Sequence, residues 1–234
     1  VINLEVKEFF DRYWKNRNLR WFDSYYDFLN LINKDVFEKL SNLKCRKILI
    51  IGAGDTKDVT IVQKISGDTI AVDISMEGLK PISKINRTQM DASCLGFKTE
   101  SFDAIFLRTV MLHIDYRKVL KEIKRVLKDK GRFFWIEPMQ NNIFLWLYRA
   151  IFSPGKLTRT RYLTYGDVQS FSHFFSEFWH REYFIITVFF LPFYVFIPPL
   201  RRGIDFFISV ETNIINRFPF LKKVCWISYG YGEV

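Results

Sequence analysis

Between residues 46 and 138, runs that are apolar at nearly every position alternate with stretches that are apolar at every third or fourth. "KILIIG" (47–52), "TIAVD" (69–73), "FDAIFLR" (102–108) and "RFFWIEP" (132–138) are of the first kind, as in strands buried on both faces of a parallel sheet. "NRTQMDA" (86–92) is more polar and predicts an edge strand. "DTKDVTIVQKI" (55–65) predicts a helix capped by Asp55 or Thr56, and "SMEGLKPIS" (75–83) a short one interrupted by Pro81. "DYRKVLKEIKRVLKD" (115–129) is the clearest helix: Val119, Leu120, Ile123, Val126 and Leu127 share one face, and Gly131 is expected to end it. Such βαβα alternation predicts a right-handed, doubly wound α/β sheet with helices on both faces.

The flanks differ. Val6, Phe9, Phe10, Tyr13 and Trp14 fall at helical spacing, and 23–32 and 35–43 predict two more helices. This gives an N-terminal helical cap over 1–45 and a main domain over 46–234. After Pro138 the pattern predicts helices at 141–152, 167–178 and 200–217, a basic aromatic loop at 153–166, and strands at 181–190 and 222–232 that extend the same sheet. The run "YFIITVFFLPFYVFIPPL" (183–200) carries no charge but is broken by Pro192, Pro198 and Pro199, so it is read as buried strand rather than membrane span.

Two glycines close the first strand, and Asp73 closes the next. Gly52 and Gly54 permit a tight turn and close backbone approach to a ligand, the following helix aims its free N–H groups at the same place, and a carboxylate at Asp73 can accept both hydroxyls of a ribose. The combination suits an adenosine-type cofactor. A dinucleotide fingerprint would need a third glycine where Lys57 stands, and no P-loop sequence is present. Asp91 ends the third strand, where it can meet an adenine amino group, and the fourth strand leads to Arg108 and a turn containing His113.

Taken together, "ILIIGAGD", "AVDIS", "MDASCLGF" and "FDAIFLRTVMLHIDYRKVLKEIKRVLKDKGRFFWIEP" resemble the class I S-adenosylmethionine-dependent methyltransferases, especially the small-molecule group that includes the ubiquinone/menaquinone methyltransferases. The resemblance implies a Rossmann-like, seven-stranded, mostly parallel sheet whose last strand is antiparallel, plus N-terminal helices. It implies that Gly52, Ala53 and Gly54 pack on the methionine moiety and that Asp73, with Ile74 beside it, holds the ribose. Asp91 and Ala92 would meet the adenine, and the Arg108 main chain would lie near the reactive methyl. Ile50 stands where the family has an acidic residue that helps anchor the methionine end, and Thr56 where it has a third glycine. His113 lies on the acceptor side and is the one base named, for an acceptor that must lose a proton; the competing account packs its ring under the following helix.

Composition narrows the acceptor. Aromatic residues make up 18% of the 234, with 25 Phe, more than a core of this size needs, so some rings should line a pocket or an apolar surface. The net charge of +10 favours an anionic partner. No Asn/Asp-Pro-Pro-aromatic motif follows the fourth strand and no Pro precedes a cysteine, which argues against nucleic acid despite the charge. Apolar residues 143–148 and 189–199 adjoin Arg149, Lys156, Arg159, Arg161, Arg201 and Arg202, a surface suited to a lipid-like anionic acceptor or to an acidic membrane, with 139–222 carrying the acceptor side. A catalytically inactive methyltransferase-like subunit, motivated by Ile50 and Thr56, and an RNA methyltransferase are the alternatives. Three scattered cysteines support neither a disulfide framework nor a metal site, and a cytoplasmic setting, peripheral to a membrane, is expected. The first residues show no signal-peptide pattern, and the start at Val rather than Met suggests residues upstream.

Overall fold

A computed structural model describes residues 4–16, 19–54, 57–152, 160–191 and 200–234, with backbone alone at 19–23, 148–149, 151–152 and 200–202. The expected helix cap, Asp55 or Thr56, lies outside the described residues.

Strands β1 (Lys47–Ile51), β2 (Asp68–Asp73), β3 (Asn86–Gln89), β4 (Phe102–Arg108), β5 (Leu127–Pro138), β6 (Glu177–Tyr183) and β7 (Ile227–Glu233) form one sheet in the order β3-β2-β1-β4-β5-β7-β6. The first five pair in parallel, and β7 runs antiparallel between β5 and β6. The sheet extends in one direction through β2 and β3 and in the other from β4 onward, so the reversal lies between β1 and β4. That is where a ligand crevice forms in such folds.

Alternation along the strands explains the all-apolar runs. Ile48 and Ile50 of β1 and Phe106 of β4 face one core, with α3 (Asn30–Asn42) and α4 (Lys57–Ile65) packed on it through Ile32, Val36, Val59 and Val62. Leu49, Ile51, Ile105 and Leu107 face the other, covered by α6 (Tyr116–Val126) through Val119, Leu120, Ile123 and Val126. Asp115 caps α6, accepting the Arg117 N–H at 3.1 Å. The helix ends before Leu127 rather than at Gly131, because Leu127 already extends to pair with Phe102; the ladder then shifts and resumes at Ala104 with Arg132.

Two later expectations need correction. The helix expected over 167–178 is one turn and a half, Tyr165–Ser170, followed by a 3₁₀ turn at Phe171–His173, and β6 already begins at Glu177. The strand expected over 181–190 stops at Tyr183, since Phe184 takes a φ of 67° and a 3₁₀ turn follows at Thr187–Phe190. Beyond Tyr183 one last backbone bond, from the Trp226 N–H to the Phe184 carbonyl at 2.8 Å, is followed by bonds to side chains. The buried Asn142 amide donates to the carbonyls of Phe184, Ile185 and Val224, and the Glu211 carboxylate accepts the N–H groups of Ile186 and Thr187. Asn142 also caps α7 (Ile143–Phe152), accepting the Leu145 N–H at 3.1 Å, so one residue ties α7 to the C-terminal segment.

Candidate functional site

The glycine turn after β1 uses the freedom that glycine has. Gly52 has φ 66° and Gly54 φ 46°, conformations costly for a side chain. A Cβ on Gly52 would fall 2.1 Å from Val110 Cγ2, and one on Gly54 would fall 2.0 Å from the Trp14 ring. Ala53 is buried and donates its N–H to the Val72 carbonyl at 3.1 Å, holding the turn against β2.

Asp73 closes β2 beside that turn. Its Oδ2 accepts the Gly54 N–H at 2.9 Å and its Oδ1 the Ser75 N–H at 2.8 Å. Burial pushes its pKa up to about 6 against the pull of those two N–H groups. Each oxygen keeps a second lone pair for another donor. Ile74 is half-buried, and its carbonyl accepts the Gln89 amide at 2.8 Å. Asp91 lies just past β3, with Oδ1 accepting the N–H and hydroxyl of Ser93 at 2.8 and 2.7 Å, and Ala92 packs into the α6-side core. Asp73, Ile74, Asp91 and Ala92 thus sit with Gly52–Gly54 along three adjacent strand ends.

Helix α1 (Leu4–Asn16) lies over these ends without a single fully buried residue. Its Trp14 stands against Gly54 and also against Gly78, where a Cβ would fall 2.7 Å from Nε1. Its Asp11 accepts the Ser75 hydroxyl and pairs with Lys7 at 2.7 Å. Its Phe10 ring meets the half-buried His113 ring edge-on at 4.9 Å. His113, in the 3₁₀ turn Met111–His113 after β4, thus meets α1 through that contact.

Arg108 ends β4 with its side chain turned inward, a feature that the strand-end reading did not anticipate. The guanidinium donates from Nε to Asp58 Oδ2 at 2.7 Å, and from Nη2 to Asp58 Oδ1 at 3.0 Å and Asn33 Oδ1 at 2.7 Å. Tyr26 donates its hydroxyl to the same Asp58 oxygen at 3.0 Å. Glu137 at the end of β5 was missed as well. It is fully buried, its Oε1 accepts the N–H groups of Val110 and Met111 at 2.7 and 3.0 Å, and burial pushes its pKa up to about 8. The signals were present: Asp58 and Asn33 interrupt the apolar inner faces of their helices, and Glu137 the apolar run of its strand.

Residues 49–135, β1 through most of β5, match the family described as "Methyltransferase domain". Over those residues the chain is similar to methyltransferase domains. An uncharacterized protein of Methanocaldococcus jannaschii is 32% identical over 138 residues, 55% of this chain and 58% of that protein. The chain spans about half the length of the curated relatives it matches. The YcgJ protein of Bacillus subtilis shares the fold at a TM-score of 0.52 and 19% identity, over 89% of this chain and 97% of that one. So does geranyl diphosphate C-methyltransferase from Streptomyces coelicolor, at 0.52 and 13%, over 80% and 70%.

Proposed function

We propose that the protein transfers a methyl group from S-adenosylmethionine to a small, amphipathic, anionic acceptor taken from a lipid surface. The cofactor part rests on the convergence of Gly52, Gly54, Asp73 and Asp91 within the methyltransferase domain, at strand ends beside the sheet's reversal point. The residues present fit such a cofactor: the positive-φ glycine turn brings backbone to the strand ends under Trp14 and Val110, and Asp73 retains lone pairs for two ribose hydroxyls. Ala53 and Ile74 would line the methionine and ribose, and Ala92 the adenine. When bound, the cofactor supplies a sulfonium-borne methyl for in-line displacement, so this chain's task is to position and desolvate. The helical cap of residues 1–45 would exclude water through Trp14 and Phe10. His113 would take the proton of a hydroxyl acceptor.

The acceptor part rests on an apolar ridge. Ring contacts run from Phe144 to Phe189, Phe190, Phe207 and Phe206 at 5.8–6.1 Å, joining α7, the 3₁₀ turn and the helix Leu200–Arg217 into one face. Phe206 and Phe189 are 68% and 52% exposed on it. Arg217 and Lys223 are exposed at and beyond the C-terminal end of the helix Leu200–Arg217. Of the cations expected to rim it, Lys156 and Arg159 and the side chains of Arg149, Arg201 and Arg202 lie outside the described residues, while Arg161 is exposed beside Asp167 at 3.9 Å. Among the described residues no helix is long and apolar enough to cross a membrane, so the ridge suits lying on a surface. Geranyl diphosphate, named for the Streptomyces coelicolor relative, has an apolar chain and an anionic head, the chemistry this reading assigns to the acceptor. Sedimentation with acidic and neutral liposomes at low and high salt tests the docking. Salt-sensitive binding to acidic liposomes alone supports it, and equal, negligible binding throughout contradicts it.

A further inference from the structure

Arg108 has one donor too many for its surroundings. Asp58 and Asn33 use Nε and Nη2, while Nη1, as buried as the rest of the group, has no hydrogen-bond partner among the described residues. A guanidinium stays charged at any accessible pH, and a buried N–H without an acceptor is costly to keep. An Arg clamped through two nitrogens and unanswered at the third, which is covered by its neighbours, can meet an acceptor that arrives when those neighbours part.

Its location says which acceptor. Ile50 pairs in register with Phe106, so Arg108, two residues beyond Phe106, points to the same face of the sheet one strand away. The resemblance drawn from the sequence implies a carboxylate for the methionine end at the position where Ile50 stands. Asp58, which pins the guanidinium, belongs to the first turn of α4, the helix that follows the glycine turn. The open donor therefore sits between the N-terminal end of α4 and the end of β4, two features that both favour an anion or line the cofactor's path. Tyr26 and Phe106 flank the guanidinium at 5.0 and 5.8 Å, keeping bulk water away and strengthening any charge-assisted bond.

Resting on the cofactor reading above, we propose that Arg108 Nη1 receives the α-carboxylate of the cofactor's methionine moiety, an anchor of opposite charge to the one that Ile50 removes. Asp58 and Asn33 are positioning residues that aim the fork, and Asp58 balances the Arg108 charge until the carboxylate arrives.

Calorimetric titration of the whole chain with three probes tests this: S-adenosylhomocysteine, its decarboxylated analogue, and 5′-methylthioadenosine, which lacks the amino-acid end. The wild type should bind S-adenosylhomocysteine about 10–100-fold tighter than the decarboxylated analogue, the range expected for one charged hydrogen bond. Arg108→Lys keeps a cation for Asp58 but lacks the fork, and should lose that preference while binding the decarboxylated analogue as before. Because a lone change at a buried ion pair can unfold a protein, a double variant, Arg108→Gln with Asp58→Asn, removes both charges together and should show the same lost preference. Equal wild-type affinity for S-adenosylhomocysteine and the decarboxylated analogue overturns the carboxylate assignment alone. So does a loss of all three probes in both folded variants, which would make Arg108 a structural support. Failure of the wild type to bind any of the three overturns the cofactor reading itself.

Discussion

The strands β1 and β4 and the layer that follows β5 use apolar residues in opposite ways. Ile48, Leu49, Ile50 and Ile51 are at most 1% exposed, each committed to one of two cores. In the later layer Ile143 is 56% exposed, Phe206 68% and Phe220 66%. The first arrangement fixes the sheet edge on which Gly52, Asp73 and Arg108 stand. The second leaves large rings facing outward in a contiguous row, which costs solubility and gains nothing in stability. On the reading proposed above, the first region positions the cofactor and the second meets the acceptor.

The comparison can be broken at several points. The largest effect belongs to the core. Phe106→Ala should cost about 3–5 kcal/mol in urea unfolding, the range for a buried ring replaced by a cavity; a loss below 1 kcal/mol would mean that β4 is not the rigid platform described.

His113→Ala comes next. With a hydroxyl acceptor it should slow turnover about a hundredfold or more while leaving S-adenosylhomocysteine affinity nearly unchanged, and a normal rate would return His113 to packing against Phe10.

The third effect is on pH dependence. Glu137 and Asp73 hold their protons in the folded state up to about 8 and about 6, above their ordinary values. The folded state thus binds more protons than the unfolded one, so stability should fall as pH rises, through about 4 to 6 for Asp73 and about 4.5 to 8 for Glu137. Glu137→Gln should flatten the upper part of that decline in melting temperatures, and an unchanged slope would contradict the burial of this carboxyl.

The smallest effect on stability is expected on the ridge. Phe206→Ser and Phe189→Ser should shift unfolding by no more than about 0.5 kcal/mol, as exposed positions do, yet weaken binding to acidic liposomes. A large loss of stability would make the ridge part of the core after all.

How far each region was legible follows from the same contrast. β1, β2, β4 and α6 could be read from local pattern because burial on both faces, or on one helical stripe, is written into consecutive residues. The glycine turn and Asp73 were readable because a tight turn restricts residue type at fixed positions. The run 181–190 misled, because its β-branched and aromatic residues say "buried" but not whether a neighbouring strand exists; Asn142 and Glu211, far off in sequence, decide that. The Arg108 clamp was hidden for the same reason: its partners Asp58 and Asn33 lie 50 and 75 residues away. The helix α1 stripe was readable as part of a helical cap, but not which residues it covers, since Trp14 and Phe10 show that only beside Gly54 and His113.

The central claim is that the strand ends around Gly54 and Asp73 seat the cofactor, and titration calorimetry with S-adenosylhomocysteine tests it most directly. The account predicts one site per chain in the wild type, and a loss of about 1.5–3 kcal/mol per charged hydrogen bond removed in Asp73→Ala. Unchanged affinity in a folded Asp73→Ala protein, or no binding in the wild type at any concentration, would contradict it.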